Sequence, residues 1–138
     1  MAEERHNKVV VGYDGSDGSR AALMWAAEEA GFRHWPLEAV RAWTPGEFGT
    51  DEELSDYTQT HLEKEVSEAL AGRDVAWTAV AERGAAGKVL QERAADARMV
   101  VVGSRGHGAL SGLLLGSVSS HVATHSGAAV VVIVKEAV

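Results

Sequence analysis

Runs of apolar residues recur along the chain at intervals of about thirty residues, and helical patterns fill the gaps between them. Val9-Val10-Val11 and Met99–Val102 are continuous apolar runs that end in glycine, the pattern of strands buried on both faces. Lys8–Tyr13 and Arg98–Val102 are therefore predicted strands. Pro36–Trp43 is another, with Leu37, Ala39 and Val40 as core candidates. Asp74–Ala81 alternates Val75, Trp77, Ala79 and Ala81, and Ala128–Val134 is an apolar last strand. Between them, Ser19–Ala30 is rich in strong helix formers. Asp51–Leu70 carries a stripe of Leu54, Tyr57, His61 (or Thr58), Leu62, Val66 and Leu70 at helical spacing. Lys88–Ala95 and Val118–His125 complete the helices. Ser16 or Asp17 is placed to cap the first helix, and Gly31 to stop it. Thr44–Gly49, with one proline and two glycines, is a loop.

Strands alternating with helices predict an α/β fold, a single doubly wound domain over residues 1–138. Its sheet has five mostly parallel strands with helices on both faces. Ligands in such sheets bind beyond the carboxyl ends of the strands, where the strand order reverses. Gly12–Asp14 and Gly103–Gly106, at the ends of the first and fourth strands, are expected to meet there.

Charge then singles out one stretch. The chain has 20 acidic residues and a formal charge of −7, yet Ala97–Val134 contains no Asp or Glu. The same stretch holds Arg98, Arg105, His107, His121 and His125, and a loop with Gly103, Gly106, Gly108 and Gly112. Buried strand, glycine loop and helix start follow in that order. That sequence suits an anion, because the first N–H groups of a helix lack internal partners and carry its positive end. The eight acids against one base between Glu47 and Glu68 read instead as a solvated helix face.

Other chemistry fits poorly. Gly106-His107-Gly108-Ala109-Leu110-Ser111 misses the dinucleotide fingerprint by its last position and lacks the later acid. Gly84–Lys88 fails the spacing of a P-loop and reads as a helix start. His121 and His125 share a helix face, but no third metal ligand is evident. No Gly-x-Ser-x-Gly elbow occurs, and Asp14 is the one general-base candidate near the loop, equally readable as a turn residue. With no cysteine there are no disulfides. The first eight residues lack the apolar core of a signal peptide, and no apolar run reaches membrane-spanning length. The expected location is cytoplasmic, with no membrane partner. The acidic balance, pI about 5.3, argues against nucleic acid.

Gly103-x2-Gly106, nine residues, then Gly116-Ser117 resembles the Gly-x2-Gly-x9-Gly-Ser/Thr signature of ATP-binding universal stress proteins. Val9–Ser16 is similar to that family's first strand and loop. The likeness covers nearly the whole chain. It implies sheet order 3-2-1-4-5 and an ATP site. In that site Asp14 holds the ribose or adenine, with Gly12 and Tyr13 as backbone neighbours, and Val40 meets the adenine through its backbone. Gly103, Arg105 and Gly106 wrap ribose and phosphates, with Val102, Ser104, His107 and Gly108 in the same segment. Gly116, Ser117, Val118 and Ser119 donate backbone or hydroxyl hydrogen bonds to phosphate. Magnesium would enter only with the ATP phosphates. The resemblance further implies a homodimer through Ala128–Val134, which would otherwise be an exposed apolar edge. The function implied is an ATP-binding stress-response regulator with little or no hydrolysis. A nucleotide-independent dimeric signalling module and a slow ATPase or phosphotransferase are the alternatives.

Overall fold

The computed structural model describes residues 6–45, 51–104 and 116–135. The strands are β1 (His6–Gly12), β2 (Leu37–Trp43), β3 (Trp77–Arg83), β4 (Ala97–Gly103) and β5 (Val130–Val134). The helices are α1 (Asp17–Arg33), α2 (Asp51–Ala69), α3 (Ala86–Arg93) and α4 (Ser117–His125). The strands form one sheet in the order β3-β2-β1-β4-β5, and every pairing is parallel. Val11 lies opposite Ala39 on one side and Val101 on the other, so β1 is central and the order reverses between β1 and β4.

Side chains alternate across the sheet and sort the core into two halves. Val9, Val11, Leu37, Ala39 and Val101 face α1 and α2, against Ala22, Leu23, Leu62 and Val66. Val10, Val40, Val100 and Val102 face α3 and α4, against Val89, Leu90 and Val122. Because both faces are covered, Val9, Val10 and Val11 are all fully buried. Burial of one such side chain stabilises the fold by about 1.5–3 kcal/mol.

Several boundaries differ from expectation. Gly31 does not stop α1. The helix runs on to Arg33, and His34 takes the left-handed turn at φ 59°. The N–H of Trp35 then donates to Ala30 O at 2.9 Å and that of His34 to Gly31 O at 3.2 Å, the paired bonds of a Schellman ending. Gly31 serves packing instead, since a Cβ there would lie 3.1 Å from Asp74 O. β3 starts at Trp77 rather than Asp74, and β5 at Val130 rather than Ala128. On α2 the buried stripe is Thr58, Leu62 and Val66, continued by Leu70 just past the helix end. Tyr57, expected inside, is 67% exposed, and His61 is exposed beside it. The Thr58 hydroxyl can turn inward because it donates to Leu54 O at 2.7 Å.

Candidate functional site

The ends of β1 and β4 meet as expected, and a helix begins just beyond each of them. After β1 the chain is tied down by its own side chains. Ser16 Oγ accepts from Ser19 N at 3.2 Å and caps α1. Asp14 Oδ1 accepts from Ser16 N at 2.9 Å, and Asp14 N donates to Ser19 Oγ at 3.2 Å. Asp14 is half-buried and shapes this turn, and Gly15 supplies its positive φ of 84°. Gly12 faces the α3 side, where a Cβ would come within 2.7 Å of Leu90 Cδ1.

Tyr13 is anchored at both ends. Its N–H donates to Val40 O at 2.9 Å. Its buried phenol lies on the α1/α2 side, near Arg20 and Glu65. Burial pushes the phenol pKa above its ordinary value, Glu65 adds to the rise, and Arg20 opposes it. Val40 is buried in the α3/α4 core, and its carbonyl is the one that holds Tyr13. Ala42, which the sequence reading passed over, lies one pleat nearer the carboxyl edge on the same face and is only half-buried. Alternation from Val40 along β2 is the signal that finds it.

After β4 the arrangement differs. Val102 is buried beneath the edge. Gly103 touches the first turn of α1, where a Cβ would lie 2.8 Å from both the carbonyl carbon and oxygen of Gly18. Ser104 N donates to Val134 O at 2.9 Å. Ser104 O accepts from Gly116 N at 2.6 Å and from Ser119 Oγ at 2.9 Å. Ser104 and Gly116 thus clasp the intervening segment at its base. Arg105, Gly106, His107 and Gly108 belong to that segment and lie outside the described residues.

Gly116 is the N-cap of α4 and brings no side-chain acceptor to it. The first turn has no acidic residue. The N–H groups of Ser117, Val118 and Ser119 are those that helix geometry leaves without internal partners. Ser117 is exposed and Val118 half-buried. Ser119 is 2% exposed, and its hydroxyl also approaches Gly116 O at 3.1 Å. Ser119 therefore offers a ligand its backbone rather than its hydroxyl, whose proton is engaged by carbonyls. Farther along α4, the His121 and His125 rings stack at 4.4 Å, and His121 Nε2 meets Gln91 Oε1 at 2.8 Å. His121 thereby fastens α4 to α3, and His125 backs it within α4. Among the described residues, no group of three or more His, Asp or Glu gathers to hold a metal ion, and no helix is long and apolar enough to cross a membrane.

An all-parallel 3-2-1-4-5 sheet flanked by helices has counterparts in known proteins. Residues 6–134 match the universal stress protein family. The chain belongs to that family. A universal stress protein of Mycobacterium tuberculosis is 36% identical over 135 residues, covering 89% of this chain and 43% of the relative. The chain therefore spans less than half the length of such curated relatives. A universal stress protein solved in complex with cAMP is 30% identical, with a TM-score of 0.73 over 96% of this chain and 98% of the other. The universal stress protein UspA from Lactobacillus plantarum, at 19% identity, shares the fold with a TM-score of 0.78 over 96% of this chain and 99% of the other.

Proposed function

We propose that this universal stress protein binds an adenine nucleotide, ATP in particular, between the ends of β1 and β4, and acts through occupancy rather than turnover. The observation that carries the reading is the start of α4. Its N-cap is a glycine and its first turn has no acid, so its free N–H groups and positive dipole end suit phosphate. Ser117, Val118 and Ser119 donate backbone N–H bonds to the phosphates; Arg105 and Gly106, outside the described residues, are the further phosphate contacts of this reading. The nucleoside lies along Gly12–Asp14 and the exposed end of β2, where Ala42 sits closer to the edge than Val40. The related protein solved with cAMP supports an adenine ligand. Asp14 already receives Ser16 N, so the same carboxylate is poorly placed as a general base. Magnesium would arrive bound to the phosphates. The strand β5, an edge with Val130 46% exposed, supports a homodimer formed through it.

The test is to denature purified protein, identify any released nucleotide by chromatography and mass, and titrate the stripped protein with ATP, ADP, AMP and cAMP. ATP binding at sub-millimolar concentration, with turnover far below the ~1 s⁻¹ of dedicated phosphotransferases, is the expected outcome. No released nucleotide and no binding at millimolar concentration would sink the proposal. A clear preference for cAMP would replace ATP as the ligand.

A further inference from the structure

The carboxyl edge of the sheet carries a second cleft, of about 300 Å³, between the ends of β2 and β3 and the first half of α2. Arg41, Trp43, Thr44, Tyr57, His61 and Gly84 are among its lining residues. It opens on the face covered by α1 and α2, because β2 sends Leu37 and Ala39 there and Arg41 follows in the same alternation. The start of α4 belongs to the opposite face. The cleft lies on the β2/β3 side of the sheet, and its Arg41 Nη1 would stand 3.6 Å from a Cβ on Gly15 in the turn after β1. It adjoins the proposed nucleotide site at Ala42, which lines both, but its aromatic and charged lining lies on the other face and the inference does not depend on that reading.

We infer that this cleft binds a small aromatic carboxylate, a flat ring bearing one anionic group. Its size matches the lower end of the ~300–1,000 Å³ typical of small-molecule pockets, enough for one or two fused rings. Trp43 and Tyr57 supply aromatic surface. Tyr57 stacks on His61 with centroids 5.6 Å apart and planes 8° apart, so the pair stands as a preformed platform although Tyr57 is largely exposed. The Trp43 indole N–H is buried and has no acceptor among the described residues.

Arg41 supplies the charge. Its Nη1 lies 3.8 Å from Glu65 Oε2, an ion pair too long for a hydrogen bond, and the planar fork keeps donors to give. Glu65 does not line the cleft. It stands behind Arg41, shared with His61 Nε2 at 3.6 Å and with the Tyr13 phenol, and so orients the guanidinium rather than filling its place. A carboxylate is the planar anion that such a fork receives through two parallel bonds. The exposed acids Glu52, Glu53 and Asp56 on α2 do not line the cleft.

The test follows the indole and backbone amide signals of ¹⁵N-labelled protein by NMR, with benzoate and indole-3-carboxylate as probes. The Trp43 signal is assigned by its loss in Trp43→Phe. Saturable movement of the Trp43 signal with a Kd of about 1 mM or below is expected. Tyr57→Ala, at an exposed position that leaves the fold intact, should weaken benzoate severalfold while Tyr57→Phe retains it. Arg41→Gln should weaken benzoate about tenfold but leave the uncharged analogue benzamide unchanged. The proposal is overturned if the Trp43 signal does not saturate. Equal binding of cyclohexanecarboxylate would overturn the aromatic part. Benzoate shifts confined to Ser117–Ser119 and abolished by ATP would show an anion at α4 instead.

Discussion

The starts of α1 and α4 are two helix ends of the same polarity at the same sheet edge, yet one is closed and the other open. At α1, Ser16 accepts from Ser19 N, Asp14 accepts from Ser16 N, and Asp17 adds a negative charge to the first turn. At α4 the cap is Gly116, no acid follows, and the Ser119 hydroxyl turns back to Ser104 O and Gly116 O. Backbone geometry gives both ends the same unpaired N–H groups. What separates them is which side chains are withheld. A helix end with free N–H groups remains where the chain declines to cap itself, and a structural corner arises where it does.

The strand that leads to the open end presses on the closed one, and disturbing that contact has the largest expected effect. Gly103 lacks a Cβ where β4 meets Gly18 of α1, and Gly103→Ala places a carbon 2.8 Å from backbone that has no flexible end to move. Overpacking of this kind costs about 1–3 kcal/mol, which in a chain of this size lowers Tm by several degrees. Thermal unfolding followed by circular dichroism checks it. An unchanged Tm would mean that the end of β4 does not press on α1, and the comparison would lose its shared frame.

The next change makes the open end resemble the closed one. Ser117→Glu adds an acid to the first turn of α4 at an exposed position. The carboxylate complements the dipole and should raise stability by about 0.3–1 kcal/mol. It should also repel phosphate and weaken ATP by about tenfold or more, near 1.4 kcal/mol. Calorimetric titration and unfolding on the same sample read the two effects, whose opposite signs are the point. If ATP binding is unchanged, phosphate does not sit at α4.

The difference between these ends was partly legible in the sequence. The runs at Val9–Val11 and Met99–Val102 gave β1 and β4, the absence of acids marked the α4 segment, and Ser16 was one of two cap candidates, with Asp17. Those signals are local, and local chemistry controls them. Gly103, expected to wrap ribose and phosphates, also packs on Gly18, a contact the sequence does not announce because no periodicity reports which backbones come together. Gly31 was read as a helix stop, whereas the approach of Asp74 O explains the glycine and His34 takes the turn. Tyr57 and His61 fit the helical stripe but face outward, because α2 turns Thr58 and Leu62 to the sheet. The bond from Tyr13 N to the Val40 carbonyl is likewise a contact between strands that no local pattern on β2 reports.

Opening the closed end should have a smaller effect. Ser16→Ala removes the acceptor for Ser19 N and should cost about 1 kcal/mol, while Ser16→Gly should cost only a few tenths. Neither should alter ATP affinity by more than twofold, because Asp17 still occupies the first turn of α1. Denaturant unfolding at fixed pH measures the first effect. A substantial loss of ATP binding in Ser16→Ala would show that the α1 corner takes part in the site rather than only framing it.

The smallest effect concerns Tyr13, which joins the closed corner to α2 through Arg20 and Glu65. Burial raises its phenol pKa above the ordinary value of 10.0, with Glu65 adding to the rise. Below pH 10 the phenol is neutral in both the folded and unfolded chains, and its contribution to stability is complete. Above pH 10 the unfolded chain loses its proton first, so it binds fewer protons than the folded one and stability falls with rising pH. The loss continues until the folded-state pKa is passed. Tyr13→Phe removes this component, so the unfolding free energies of the two proteins should run parallel from pH 7 to 9 and converge above pH 10. Urea unfolding at half-unit pH steps would reveal the convergence. Curves that stay parallel to pH 11 would place the phenol in solvent, and the α1 corner would then be held by Ser16 and Asp14 without help from α2.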